Sequence, residues 1–279
     1  MHTSSRSLLV AFTLLLAACS NAPAATSGAL PGSDHLHALR AADDGSLLLG
    51  LHGALWRSED GTDWEPQGLE GQDAMALGVA AEDAPLLVGG HDVLARSTDG
   101  GETFEMLGPD LPSLDIHALA QAPSDPDLVY AYVVGAGIFR SDDAGDTWSA
   151  AAAVGPQLPG DIAALAVDPR DPETVLVGSG SAGVLRSSDG AATFTRTSEW
   201  GTGGLAFGPD GEVLAATVRG LDVSQDGGES WSNLAAVDEL AGQPMAVAVG
   251  PDGTRWVVTE ADRVLYRDDG DGFTEIARA

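Results

Sequence analysis

The sequence predicts a single all-β domain built from six similar units, and two observations support this prediction. One short motif recurs six times, and its terminal aromatics are Trp64, Phe104, Trp148, Phe194, Trp231 and Phe273. Successive aromatics are 40, 44, 46, 37 and 42 residues apart. In addition, short apolar segments bounded by Gly, Pro and Asp recur throughout, and no stretch keeps a helical period.

A period of about forty residues fits one four-stranded blade of a β-propeller. The third repeat shows the pattern, with apolar runs at 116–119, 128–133 and 137–140, a Pro/Asp turn at 123–127, and a fourth strand starting at 148. We therefore predict a six-bladed β-propeller over residues 34–279, with four antiparallel strands in each blade. Seven blades are the alternative, if one blade lacks a recognisable hairpin. A short strand from residues before 34 could complete the last blade.

The recurring motif resembles the Asp-box, or BNR repeat, of sialidases, sortilin-type receptors, some glycoside hydrolases and photosystem II stability factors. The family pattern is Ser/Thr-x-Asp-x-Gly-x-Thr-Trp/Phe, and the third copy matches it at every position: Ser141, Asp143, Gly145, Thr147 and Trp148. Copy four has Ala191 in place of the glycine, and copy six has Asp268 in place of the serine. Serine and aspartate can accept hydrogen bonds from turn N–H groups, so we expect the motif to be structural.

Residues 1–18 predict a lipoprotein signal peptide. Arg6 supplies a positive charge, residues 8–16 are apolar, and residues 16–19 (Leu-Ala-Ala-Cys) resemble the bacterial lipobox. The resemblance implies that Cys19 is lipidated, and residues 19–33 read as a flexible tether. An ordinary signal peptide is the alternative. We expect a monomeric protein anchored by lipid in the cell envelope, at the outer membrane or the outer face of the cell membrane.

Composition narrows the range of partners. The chain has 42 acidic and 13 basic residues, which repels phosphate backbones and argues against nucleic-acid binding. Cys19 is the only cysteine, so no disulfide can form within the chain.

Five histidines are expected on one face of the propeller. His37 and His117 lie near the start of the first strands of blades one and three, and His52 and His91 end second strands at aligned positions. Imidazoles near carboxylates are ligands for zinc, copper or nickel, so a divalent transition metal is the one candidate cofactor. His35 is a possible further ligand, although it alternates with His37 across the strand. Alternatively, each histidine is a half-buried residue that bonds to the backbone.

Two further residues could bind a glycan or peptide on the same face. Trp200 lies in a loop before blade five and could stack on a sugar ring, although it could equally pack over a neighbouring blade. Arg219 aligns with His52 and His91 and could pair with an anionic ligand.

Glycoside hydrolysis is the enzymatic alternative, because it needs two suitably spaced carboxyl groups. The carboxylates expected near the channel mouth are Asp34, Asp73, Asp115, Asp161 and Glu260. Aspartate is also an ordinary turn residue, which is the structural alternative for these positions. Sialidase chemistry is not expected, because the tyrosines lie within predicted strands and few arginines lie outside the repeat. We therefore predict a non-catalytic module that binds a protein, glycan or metal, with an Asp-box glycoside hydrolase as the alternative.

Overall fold

The computed structural model describes residues 28–32, 35–78, 84–108 and 110–279. Over these ranges the chain forms 25 β-strands in six sheets, and its one helical segment is the 3₁₀ turn Val237–Glu239. No helix in this part of the chain has the length and hydropathy needed to cross a bilayer. The predicted signal peptide, Cys19 and Asp34 lie outside the described residues.

Each sheet is a four-stranded antiparallel meander in chain order, and the last sheet carries one additional strand. Strand β1 is Gly28–Ala29. Blades one to three contain β2–β5 (Leu36–Ala41, Leu47–Leu51, Ala54–Ser58, Glu65–Pro66), β6–β9 (Ala76–Gly78, Leu86–Gly90, Val93–Ser97, Glu105–Met106) and β10–β13 (Ile116–Ala122, Asp125–Val133, Gly137–Ser141, Ser149–Ala153). Blades four to six contain β14–β17 (Ile162–Asp168, Asp171–Ser179, Gly183–Ser187, Thr195–Ser198), β18–β21 (Thr202–Phe207, Val213–Thr217, Gly220–Ser224, Ser232–Ala236) and β22–β25 (Pro244–Val249, Arg255–Thr259, Val264–Asp268, Thr274–Arg278).

The six blades close into a ring around a central channel. The first strand of each blade contacts the first strand of the next, and β22 of blade six contacts β2 of blade one. This arrangement confirms the predicted six-bladed β-propeller and excludes the seven-bladed alternative.

The core consists of apolar clusters between neighbouring blades, and the described residues form one such cluster at each of the six interfaces. Each motif aromatic belongs to a different cluster and packs against the blade before its own. Trp148 of blade three, for example, packs with Leu87 and Leu94 of blade two. Trp148 is buried and the other five aromatics are half-buried, so each contributes apolar contacts between neighbouring blades.

The motif serine and aspartate stabilise the turn between the third and fourth strands. In blade three, the Ser141 hydroxyl accepts a hydrogen bond from the Gly145 N–H at 2.9 Å, and Asp143 accepts one from the Thr147 N–H at 2.8 Å. Gly145 has a φ of +93°, a conformation that costs glycine little. In the shortened sixth copy, Asp268 replaces the serine and accepts from two glycine N–H groups. These contacts explain the spacing of the motif without assigning it any chemistry.

A strand from the N-terminal side completes the last blade. Gly28 and Ala29 pair in parallel with Ala277 and Arg278, so blade six has five strands. Leu30 follows and is buried in the cluster between blades six and one. The predicted additional strand is therefore present, and it covers the outer edge of β25.

Candidate metal centre

Three histidines of blades one and two meet around one buried carboxylate, that of Asp73. Its side chain is 6% exposed and lies within 3.5 Å of His37, His52 and His91. We call the end of the propeller that carries these residues the histidine face.

Glycines allow the backbone at Asp73 to lie deep between two blades. A Cβ on Gly90 would lie 1.9 Å from the Asp73 carbonyl oxygen, and a Cβ on Gly50 would lie 2.2 Å from that of Ala74. Any side chain at either position would therefore displace this segment. Gly90 also directly precedes His91, so the same close approach brings Asp73 next to an imidazole.

β-Bulges direct two of the histidines toward the channel. The pairing of β2 with β3 shifts between Leu36 and Ala38, and the pairing of β10 with β11 shifts between Ile116 and Ala118. His37 and His117 are the extra residues at these shifts, and both line the channel at the end that carries the histidine face. Because a bulge re-aims the side chain it inserts, this local irregularity turns each imidazole out of the normal strand alternation.

One set of potential metal ligands consists of His37, His52 and Asp73, which we call the Asp73 group. The Oδ1 atom of Asp73 lies 3.5 Å from His37 Nε2 and 3.3 Å from His52 Nδ1. Asp73 Oδ1 and His37 Nε2 are nevertheless buried without hydrogen-bond partners among the described residues. Ligands about 2.0–2.1 Å from one tetrahedral zinc ion lie about 3.3 Å apart, which matches these separations.

The second set consists of His91, Asp115 and His117, which we call the Asp115 group. Asp115 Oδ1 lies 3.0 Å from His117 Nε2 and 3.5 Å from His91 Nε2, and the two imidazole nitrogens are 3.3 Å apart. Asp115 Oδ1 is also buried without a hydrogen-bond partner in the described part of the chain. The two imidazole nitrogens are within hydrogen-bond distance of each other, and all three atoms are close enough together to be ligands of one ion.

His91 links the two groups. Its Nδ1 atom lies 2.6 Å from Asp73 Oδ2, and because an ionised carboxylate can only accept, Nδ1 carries the proton. The Nε2 atom of neutral His91 then presents a lone pair to the Asp115 group. A carboxylate that fixes the tautomer of a ligating histidine is a common feature of protein metal sites.

The side chains of the two ligand groups differ in how far they are buried. Burial lowers the pKa of His37 despite the opposing effect of the nearby Asp73 carboxylate, and this favours the neutral imidazole that metals bind. In contrast, the His52 and His91 side chains are 63% and 52% exposed. The site therefore combines a buried carboxylate with a face that is open to solvent.

The other predicted site residues have different surroundings. His35 is exposed beside His37, with ring centroids 6.3 Å apart, and belongs to neither group. Trp200 and Arg219 contact each other, with the guanidinium 5.0 Å from the centre of the indole ring, and Arg219 also pairs with the buried Asp222. Asp161 accepts hydrogen bonds from Ser179 and Ser181, which lower its pKa against the effect of burial.

Glu260 is exposed, and its backbone N–H donates to Gln243. Of the carboxylates expected at the channel mouth, Asp73 and Asp115 lie within the two ligand groups.

Sequence reasoning missed three residues of this face as ligand candidates. The sequence places Asp73 only among the carboxylates that glycoside hydrolysis would need, although the repeats align it with Asp115. Met75 and Met245 line the channel at the end of the histidine face, at positions equivalent to His37 and His117. Aligning the first strands of all six repeats would have shown that thioethers and imidazoles share one level of the channel.

Comparisons with known proteins agree with this architecture. The sequence matches no protein-family model and no curated protein. Similar solved structures include the GH74 enzyme of Niastella koreensis, at 17% identity and a TM-score of 0.60 over 87% of this chain and 38% of that chain. The chain has a β-propeller fold.

Two other similar structures are the GH74 xyloglucanase from Xanthomonas campestris and YCF48 bound to a D1 peptide. The first is 19% identical, with a TM-score of 0.61 over 89% of this chain and 46% of that one. The second is 18% identical, with a TM-score of 0.56 over 90% of this chain and 88% of that one. This propeller spans less than half the length of the two GH74 chains, and at these identities the likeness establishes the fold alone.

Proposed function

We propose that this protein is a β-propeller that binds transition-metal ions on its histidine face. The observation that carries the proposal is the convergence of two sets of two imidazoles and one carboxylate, with buried oxygen and nitrogen atoms that lack hydrogen-bond partners. Buried polar groups are normally satisfied, so a shared ion explains why these atoms approach without bonding to one another.

The chemistry of the ligands favours zinc, copper or nickel. Imidazole nitrogen suits these ions, whereas calcium and magnesium prefer oxygen ligands alone. Three protein ligands leave at least one coordination position for water or another molecule. The exposure of His52 and His91 would allow both the ion and such a ligand to reach the site.

The proposed setting is the cell envelope. The pattern in residues 6–19 supports an exported chain lipidated at Cys19, and the repeat motif supports assignment to the Asp-box propellers. Detergent phase partitioning of the parent and of Cys19→Ala would test the anchor. The parent should enter the detergent phase and the variant should remain in the aqueous phase, whereas equal partitioning would contradict lipidation.

Glycoside hydrolysis remains the second candidate on the strength of the fold neighbours, but the described carboxylates give it little support. Asp115 belongs to a ligand group, and hydrogen bonds lower the pKa of Asp161. A general acid for glycoside hydrolysis instead needs a raised pKa.

Metal stoichiometry tests the proposal. Purified protein would be stripped with chelator, exposed to Zn²⁺ or Cu²⁺, desalted and analysed for metal. We expect two ions per chain, and one ion after His37→Gln combined with His52→Gln. His35→Gln is the matched control, because it removes a neighbouring imidazole outside both groups. Absence of bound metal in the parent, or an equal loss in the control, would overturn the proposal.

A further inference from the structure

A short path of contacts joins the two ligand groups. Asp73 contributes Oδ1 to its own group, and its Oδ2 atom accepts a hydrogen bond from His91 Nδ1 at 2.6 Å. The other nitrogen of the same imidazole, His91 Nε2, lies 3.5 Å from Asp115 Oδ1 and 3.3 Å from His117 Nε2. One carboxylate, one hydrogen bond and one imidazole ring therefore connect the two proposed ion positions. A change of charge at either position reaches the ligands of the other along this path.

The backbone holds Asp73 and His91 next to each other. The Met75 N–H donates to the Gly89 carbonyl at 3.0 Å, which pairs the segment after Asp73 with the strand that ends before His91. Gly90 lies so close to the Asp73 carbonyl oxygen that no side chain would fit between them. Because the Asp73 side chain is also buried, we expect its hydrogen bond with His91 to persist when a metal binds.

An ion in the Asp73 group should weaken binding in the Asp115 group. Coordination of Asp73 Oδ1 withdraws electron density from the carboxylate, so Oδ2 becomes a poorer acceptor for the His91 proton. A carboxylate acceptor raises the basicity of a ligating histidine, and a poorer acceptor raises it less. The two ions also repel each other and share the single negative charge of Asp73. These effects all have the same sign.

The reverse effect follows from thermodynamic linkage. An ion on His91 Nε2 makes the Nδ1 proton more acidic, and this proton then draws charge away from the Asp73 carboxylate. Because coupling between two binding equilibria is reciprocal, each ion must weaken the other by the same factor. Couplings between sites in proteins are typically about 5- to 150-fold.

The two groups differ in their exposure to solvent, which predicts the order of filling. The Asp73 carboxylate is buried and His37 is half-buried, whereas Asp115 and His117 are half-buried and His91 is exposed. Attraction between an ion and a carboxylate is stronger where water is excluded. We therefore expect the Asp73 group to fill first and the Asp115 group to fill second.

We propose that the two ions bind with negative cooperativity transmitted by the Asp73–His91 hydrogen bond, so that the Asp115 group holds the more readily exchanged ion. This inference rests on the metal binding proposed above and adds a regulation of that site. One firmly held ion tunes the release of a second ion, which lies on the more exposed ligands of the histidine face.

Calorimetric titration with Zn²⁺ tests the coupling in variants that retain one ligand group each. His37→Gln combined with His52→Gln leaves the Asp115 group, and His117→Gln leaves the Asp73 group. These substitutions keep both carboxylates and the Asp73–His91 pair, so the net charge of the site is unchanged. His35→Gln is the matched control and should give the two association constants of the parent.

The comparison uses the product of the two stepwise association constants of the parent. If the groups bound independently, this product would equal the product of the constants of the two single-group variants. We expect the product in the parent to be about 5- to 150-fold smaller. An equal or larger product would overturn the coupling and leave the proposed function standing, whereas a parent that binds no Zn²⁺ would overturn both.

Nuclear magnetic resonance of the His91 Nδ1 proton provides a readout on the parent protein. The resonance can be assigned from its absence in His91→Gln. A stronger hydrogen bond to a carboxylate moves such a proton downfield. The first equivalent of Zn²⁺ should therefore move it upfield, and the second equivalent should move it back downfield. A resonance that does not move while two ions bind would refute the assigned path, even if the single-group variants failed to fold.

Discussion

Replacing Asp73 by asparagine should remove one bound metal ion and leave the other. The two carboxylate oxygens have different partners, since Oδ1 faces His37 and His52 whereas Oδ2 accepts from His91 Nδ1. In the asparagine variant, the amide oxygen can still accept the His91 proton. The amide nitrogen then faces the Asp73 group, where it cannot ligate a metal. The Asp115 group should consequently keep its ion.

Asp73→Leu should affect both groups, because leucine cannot accept the His91 proton. The Asp73 group loses its carboxylate as before. The Asp115 group loses the hydrogen bond that fixes the His91 tautomer, and loss of such a partner typically weakens metal binding about 10- to 100-fold. This corresponds to about 1.4–2.7 kcal/mol of binding free energy.

Competitive titration with a zinc indicator would measure both effects, because it gives the number of sites and their affinities. Asp161→Asn is the matched control, since Asp161 lies at the aligned position of blade four and bonds to serines instead of histidines. The control should retain both sites with the affinities of the parent. If Asp73→Asn also retained both sites, or if the control lost one, the assigned roles of the two oxygens would be wrong.

Three predictions concern the scaffold and can be measured by urea unfolding. Trp148→Ala should lower the free energy of unfolding by about 3–5 kcal/mol, because it leaves a cavity between blades two and three. The control is Met106→Ala, which should change the free energy of unfolding by less than about 0.5 kcal/mol because Met106 is exposed. Leu30→Ala should cost about 2–5 kcal/mol if the N-terminal strand closes the ring as described, and a negligible change would contradict that role. Hydrogen bonds from Ser230 lower the pKa of Asp226 to about 2, so its contribution to stability is present above about pH 4 and is lost as the pH falls toward 2. The difference in the free energy of unfolding between the parent and Asp226→Asn should therefore shrink as the pH falls from about 4 toward 2. A difference that stays constant over this range would show that ionised Asp226 does not stabilise the fold.

The fold was predictable because it depends on spacing that is visible in the sequence. Six aromatics at intervals of about forty residues predict six equivalent sheets, and each aromatic does pack against the preceding blade. The parallel pairing of Gly28 with Ala277 was foreseen only as a possibility. Two residues carry too little pattern to identify a strand, and their pairing is decided by the free edge of β25.

The candidate metal site was predictable only in outline. Alignment of the repeats places His37 level with His117 and His52 level with His91, which is enough to assign them to one face. It does not reveal that Asp73 is central, because that position depends on how closely the chain passes Gly50 and Gly90. Such close approaches are three-dimensional and leave no periodic signal in a single sequence.

Arg40 illustrates a different limit of sequence reasoning. As one arginine in an apolar strand, it gives no indication of its place in the channel, and the periodic arginines of the repeat motif draw attention away from it. Its guanidinium reaches the Leu165 carbonyl of blade four, because the five other blades place glycine or alanine at the same level. A propeller concentrates such single deviations at its axis, because all six first strands meet there. Departures from the repeat along these strands are therefore the positions that a comparison of the repeats singles out, and in this protein they comprise the imidazoles at one end of the channel and a guanidinium further along it.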